Sequence, residues 1–220
     1  MPLSTIEKTT GPAPRASIVL MHGLGADGND FVPIVSQLDL EAVGPVRFVF
    51  PNAPQIPVTI NNGYVMPAWY DIVSMDRSRE DEAGLRRSQA AIEELLAIEK
   101  ARGIPAERIV VAGFSQGCAM ALLTGLCHPE KLAGILALSG YLPLASKTAA
   151  EQSPANATTP IFMAHGAHDP VIQQERAIAS RDALTALGHP VQWHSYRMEH
   201  SVCMEEIADV NRWLLEVLAP

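Results

Sequence analysis

The residues best suited to chemistry sit in one pentapeptide, Gly113-Phe114-Ser115-Gln116-Gly117. It reads G-x-S-x-G. The apolar run Ile109-Val110-Val111-Ala112 precedes it, and the small-residue pattern Cys118-Ala119-Met120-Ala121-Leu122-Leu123 follows. A strand, a sharp turn and a helix in that order hold a serine in strained backbone with its hydroxyl exposed. Glycine is needed on both sides, because a Cβ there would collide with the neighbouring strand or helix. The Gln116 amide, at the helix start, can point at a developing oxyanion. The chemistry implied is acyl transfer to a serine hydroxyl.

A hydroxyl attacks only when a base takes its proton, and the base needs an orienting acid. Behind this kind of elbow the acid comes next in the chain and the histidine last. The apolar run Ile161-Phe162-Met163-Ala164 leads through His165-Gly166-Ala167-His168 to Asp169. The run Val191-Gln192-Trp193-His194-Ser195-Tyr196 leads to His200. Ser115, Asp169 and His200 therefore each follow a predicted strand, at the end where open parallel sheets place their sites. Ser115 reads as nucleophile, His200 as general base and then acid, and Asp169 as the group that fixes the His200 tautomer.

Other chemistries fit less well. His165, His168 and Asp169 are close enough to suggest zinc, but the order of nucleophile, acid and base accounts for Asp169 better, so no metal is expected. Cys118 lies one helical turn after Ser115 and reads as a buried small residue rather than a nucleophile. His22-Gly23-Leu24-Gly25-Ala26-Asp27-Gly28 has the glycines of a phosphate loop without its Gly-Lys-Ser/Thr ending or dinucleotide spacing. It reads instead as a second source of an oxyanion amide, with His22 bracing the loop. Asp27 and Asp71 read as loop-bracing carboxylates, and His128, His189 and His194 as surface or strand residues.

The 220 residues suit one domain with a substantial core, and 48% hydrophobic with 18% charged residues is a globular composition. A net charge of −8, from 24 acidic and 16 basic residues, disfavours nucleic acid and anionic membranes as partners. The N-terminus has no basic region followed by an apolar one, and no apolar run is long enough to span a bilayer. The three cysteines, Cys118, Cys127 and Cys203, have no metal-type spacing and read as reduced thiols. A cytoplasmic protein without stable membrane insertion is expected.

Strand and helix patterns alternate along the chain, which predicts an α/β class with a mostly parallel twisted sheet and helices on both faces. Predicted strands cover 4–9 (an edge), 17–21, 46–50, 109–112, 133–138, 161–164 and 191–196. Predicted helices cover 29–38, 80–102, 116–127, 173–187 and 203–218. In the second, Leu85, Ala91, Ile92, Leu95, Leu96 and Ile98 form the apolar face, with Glu93, Glu94 and Lys100 outside. In the last, Ile207, Val210, Trp213, Leu214 and Val217 share a face. Residues 51–71, rich in Pro, Asn and aromatics, read as a long packed loop on the substrate side. Within it Trp69 and Tyr70 either wall an acyl pocket or only pack the loop, and Met66 is placed with them as a pocket residue. Residues 139–159 are polar and broken by Pro143 and Pro154. They lack the amphipathic face of a membrane-docking lid, so no interfacial activation is expected.

The four stretches His22 to Gly28, Gly113 to Gly117, His165-Gly166 with Asp169, and His200-Ser201 together resemble the phospholipase/carboxylesterase family. So do Pro51-Asn52-Ala53-Pro54, Pro57-Val58-Thr59, Met66-Pro67-Ala68-Trp69-Tyr70-Asp71 and Leu132-Ala133-Gly134. The similarity runs from about residue 17 to 218. It implies an α/β-hydrolase fold, a Ser115–Asp169–His200 triad without cofactor, and an oxyanion hole from the backbone amides of Leu24 and Gln116. It implies a serine carboxylesterase acting through an acyl-enzyme on carboxylic esters of short- to medium-chain acids. Acyl-protein thioesterase or lysophospholipase activity is the alternative within the class, and a homodimer is an expectation from the same source. The alternative of another class is a silent relative that only binds a ligand, for which all three catalytic groups would be superfluous. Two positions depart from the family pattern: Cys118 and Glu199 stand where glycine is usual.

Overall fold

The computed structural model describes residues 3–74 and 79–219. Nine strands are described: β1 (Thr5–Thr9), β2 (Ala16–Met21), β3 (Val46–Pro51), β4 (Gln55–Val58), β5 (Tyr64–Pro67), β6 (Ile109–Phe114), β7 (Gly134–Leu138), β8 (Ile161–Gly166) and β9 (Val191–Tyr196). Five α-helices are described: α1 (Glu82–Ala101), α2 (Gln116–Cys127), α3 (Ala145–Glu151), α4 (Gln174–Ala186) and α5 (Met204–Val217). Seven strands form one sheet in the order β1-β3-β2-β6-β7-β8-β9. Every pairing in it is parallel except the antiparallel edge pair β1–β3.

Alternation along these strands sorts the core into two layers. Val19, Met21, Ile109, Val111, Ile135 and Met163 face α1 and α2. Ile18, Leu20, Phe48, Val110, Leu136 and Phe162 face Val210, Trp213 and Leu214 of α5. Both faces of the central strands are covered, which is why those strands read as unbroken apolar runs. From β2 the sheet order runs outward to β3 on one side and to β6 on the other. The C-terminal ends of β2 and β6 therefore flank a topological switch point, where such sheets leave a crevice.

Four expectations need correction. The predicted helix at 29–38 is a 3-10 segment, Val32–Gln37. Pro33 and two β-branched valines disfavour a full α-helix there, and Ile34 alone is buried. The long loop at 51–71 contains the two-stranded sheet β4–β5, an arm of paired strands rather than irregular chain. The connection at 139–159 contains α3. On α1, Ile98 is 39% exposed and Glu99 is buried in its place. The Glu99 carboxylate accepts from Arg47 (3.0 Å) on β3 and from Arg102 (2.9 Å). Glu99 stands at i+4 from Leu95 and i+7 from Ile92, inside the buried face, and the two cations balance its charge there.

Candidate active site

Ser115 follows β6 directly and caps α2, with φ 56° and ψ −116°. A side chain in that region is strained, and the surroundings must hold it there. They do so by close packing: a Cβ at Gly113 would overlap the Gly117 carbonyl, and one at Gly117 the Met21 carbonyl. The turn is thereby pressed between its own helix and β2. Ser115 N–H donates to the Leu138 carbonyl at 2.9 Å, which ties the elbow to β7.

The Gln116 side chain fixes the other side of the turn. Its Oε1 accepts from the Trp69 amide (2.9 Å) and its Nε2 donates to the Tyr70 carbonyl (2.7 Å). Trp69 Nε1–H donates to the His22 carbonyl (2.9 Å), and the Tyr70 and Tyr141 hydroxyls lie 2.7 Å apart. Trp69 and Tyr70 are almost wholly buried. They are not among the residues lining the cavity beside Ser115; they pack the segment that the elbow leans on. Met66 is absent from the cavity lining as well. Its sulfur accepts from Asn61 Nδ2 at 3.4 Å, inside the β4–β5 arm.

His22 is buried, and burial lowers its pKa, so the ring is neutral. Nδ1–H donates to the Gly23 carbonyl (2.7 Å) and Nε2 accepts from the Ala53 amide (3.0 Å). Both nitrogens are thus engaged in holding the loop that carries Leu24, the bracing role expected for it. Asp27 accepts from the Asn29 amide in the same loop, at 2.7 Å.

The acid and the histidine arrive on two loops bonded to each other. Ala167 N–H donates to the Tyr196 carbonyl (2.8 Å) and His168 N–H to the Met198 carbonyl (3.1 Å). A Cβ at Gly166 would overlap the backbone of Met198 and Glu199, so only glycine allows this approach. Glu199 is itself exposed. The result is one continuous line: His200 Nε2 lies 2.8 Å from Ser115 Oγ, and His200 Nδ1 lies 2.6 Å from Asp169 Oδ2. Asp169 Oδ1 accepts from the amides of Val171 (2.8 Å) and Ile172 (2.9 Å). The Phe114 ring packs on the imidazole of His200, centroids 4.8 Å apart.

A cavity of about 280 Å³ opens beside Ser115, lined also by Leu24, Ile60, Ile72, Gln116, Pro170 and Val171. Apart from Ser115 and Gln116 the lining is apolar. Ile60 and Ile72 are held together by a backbone hydrogen bond (3.1 Å) and by Asp71, whose two carboxylate oxygens accept from the amide and hydroxyl of Thr59 at 2.7 and 2.5 Å. Asp71 is a brace, as expected. Ile60, Ile72, Pro170 and Val171 carry no motif, so the sequence offered no signal for them.

The remaining candidates fall away from the chemistry. Cys118 is buried, and burial pushes its thiol well above the usual range. Among the described residues no group of three metal-ligating side chains is found. His168 is exposed while His165 is buried. His128 and His189, read from the sequence as surface or strand residues, are buried, with Glu93 (2.7 Å) and Gln152 (2.6 Å) as partners. Among the described residues no helix is long and apolar enough to cross a membrane.

The family model described as phospholipase/carboxylesterase matches residues 3–218. The chain belongs to that family. It is 44% identical to acyl-protein thioesterase 1 of Neurospora crassa, covering 92% of this chain and 87% of the relative. It is 42% identical to acyl-protein thioesterase 1 of Mycosarcoma maydis, covering 97% and 95%. The crystal structure of Arabidopsis thaliana SOBER1 superposes with a TM-score of 0.88 at 30% identity, over 93% of this chain and 99% of that one. Zea mays acyl-protein thioesterase 2 does so with 0.83 at 30% identity, over 97% and 99%. The phospholipase/carboxylesterase fold is the α/β-hydrolase fold expected from the sequence, and the members named thioesterases match this chain over nearly its full length.

Proposed function

We propose that the protein is a serine hydrolase of acyl thioesters, with acylated protein cysteines as the substrate class and oxygen esters as accepted analogues. The single observation that carries the reading is the line Ser115 Oγ, His200 Nε2 at 2.8 Å, His200 Nδ1, Asp169 Oδ2 at 2.6 Å, standing at the mouth of an apolar cavity. The relatives named acyl-protein thioesterase 1 move the reading from the carboxylic-ester preference expected from the sequence to the thioester alternative.

In this reading the acyl chain lies against Ile60, Ile72 and Val171. Ser115 Oγ attacks the thioester carbonyl carbon as His200 Nε2 takes the hydroxyl proton, and Asp169 stabilises the imidazolium. The carbonyl oxygen takes the negative charge and is met by the backbone amides of Leu24 and Gln116. The C–S bond breaks, the thiolate leaves with the proton from His200, and Ser115 carries the acyl group. Water, deprotonated by His200, then attacks the ester and frees the carboxylic acid. A thiolate is a better leaving group than an alkoxide, so the same groups serve both bonds with less help needed from the acid on the thioester. No metal or cofactor enters any step.

The test is a pair of substrates with one short- to medium-chain acyl group, one a peptidyl-cysteine thioester and one an alkyl ester. The thioester is expected to show the higher kcat/KM. Ser115→Ala is expected to abolish both activities with the fold retained, and a fluorophosphonate probe should label Ser115 alone. Equal turnover by Ser115→Ala, or labelling at Cys118, would sink the assignment. A higher kcat/KM for the alkyl ester would restore the carboxylesterase reading.

A further inference from the structure

We infer that His165 is a positioning residue of this site, whose imidazole fastens the loop bearing Asp169 so that one carboxylate oxygen stays aimed at His200. The inference rests on the triad reading above. Asp169 takes the amides of Val171 and Ile172 on Oδ1. These belong to its own loop, so they shape the turn without fixing where it sits relative to β8. The Asp169 N–H reaches back only to the Gly166 carbonyl at the very end of β8, at 3.3 Å, and His165 supplies the side-chain link. From β8 its Nε2 reaches the Ile172 carbonyl at 2.7 Å. Ile172 therefore gives its N–H to Asp169 and takes one from His165, closing a circuit between strand, loop and carboxylate. The same Nε2 stands 3.3 Å from Asp169 Oδ2, the oxygen that faces His200.

Both neighbours of Nε2 are acceptors, so the ring hydrogen sits on Nε2. Nδ1 is buried without a hydrogen-bond partner. A second proton there would be an unpaired buried N–H, so the ring is neutral, and burial lowers its pKa accordingly. An apolar side chain would fill this fully buried position without leaving Nδ1 unpaired. What it would lack is the Nε2 donor. Pro170 and Val171, both in the cavity lining, lie inside the fastened segment. One imidazole thus sets both the direction of the carboxylate and the position of one cavity wall.

The test uses His165→Leu, which keeps bulk and loses the donor, and His165→Gln, whose amide nitrogen reaches near the ring Nε2. With a short-chain chromogenic ester, His165→Leu is expected to lower kcat about tenfold to a hundredfold with KM within about threefold, the signature of a misplaced catalytic group. His165→Gln is expected to keep most of the wild-type kcat. If His165→Leu does not fold, as judged by circular dichroism, His165→Asn replaces it, because its shorter amide cannot reach Ile172; it is expected to lose kcat as the leucine variant would. Wild-type kcat in the donor-free variant would overturn the inference, and so would equal losses in the glutamine and donor-free variants, which would mark a packing role only. Failure of the triad reading appears separately, as turnover by Ser115→Ala in the wild-type background.

Discussion

Asp169 in the β8–α4 loop and Glu206 in the first turn of α5 are both buried carboxylates, and the protein treats them in opposite ways. Asp169 meets two backbone amides and the His200 ring, and accepts at both oxygens. Glu206 is as deeply buried, and the one group that offsets its burial is the Cys203 backbone amide, which falls outside full hydrogen-bond geometry. Burial pushes its pKa up to about 8. A buried carboxylate keeps its charge only where donors replace the water it has lost. The comparison separates a carboxylate whose lost water is replaced by donors from one, a few residues beyond His200 in the chain, whose burial raises its pKa.

The largest expected effect breaks the Asp169 side of this contrast. Asp169→Asn is expected to lower kcat by about 10⁴, the size seen when a triad histidine is held in the wrong tautomer. The amide can still accept at Oδ1, so the loop should survive, and thermal melting should change little while activity collapses. Wild-type activity would mean that another carboxylate orients His200, with Glu199 the first to examine.

Glu206 is expected to act on stability, and the sign follows from its pKa. In the folded state it holds its proton up to about pH 8, whereas the unfolded chain releases it near the ordinary glutamate value of 4.5. Between those values the folded state binds more protons, so stability is full below the lower one and falls as pH rises through the interval, by on the order of 5 kcal/mol at most for such a shift. Glu206→Gln should remove that fall and be relatively more stable at pH 9 than at pH 5. Guanidinium unfolding of both proteins at the two pH values measures it, and parallel pH slopes would contradict the assignment.

A third buried carboxylate sharpens the contrast with a smaller effect. Glu99 is paired with Arg47 and Arg102, the first largely buried and the second partly exposed. Arg47→Met leaves Arg102 in place and is expected to cost about 1–2 kcal/mol in the same unfolding assay, with kcat unchanged. A change in kcat would mean that β3 communicates with the site.

The catalytic candidates were legible in the chain because their signals are local. Gly113 and Gly117 announce the elbow through contacts that only glycine permits. Asp169 follows the apolar run at 161–164 and His200 the run at 191–196, both bounded segments that read as strands. The cavity wall was not legible: Ile60 and Val171 are ordinary apolar residues until the β4–β5 arm and the β8–α4 loop converge. The aromatic pair Trp69 and Tyr70 looked equally suited to lining a pocket or packing a loop, and only the Gln116 clamp distinguishes the two. Glu99 lies on the buried face of α1 by helical period, but a charged residue there is tolerated only because Arg47, distant in sequence, meets it.

What the sequence by itself determined is the alternation of strands and helices, the elbow, and the order of nucleophile, acid and base. Each follows from steric rules and periodicities that operate within a few residues. The tertiary structure alone decided which oxygens are paired, which histidines are buried, and that His165 reaches the loop of Asp169. Those outcomes depend on the dielectric and the partners that distant segments bring to a group, and neither is a property of the group's own neighbours in the chain.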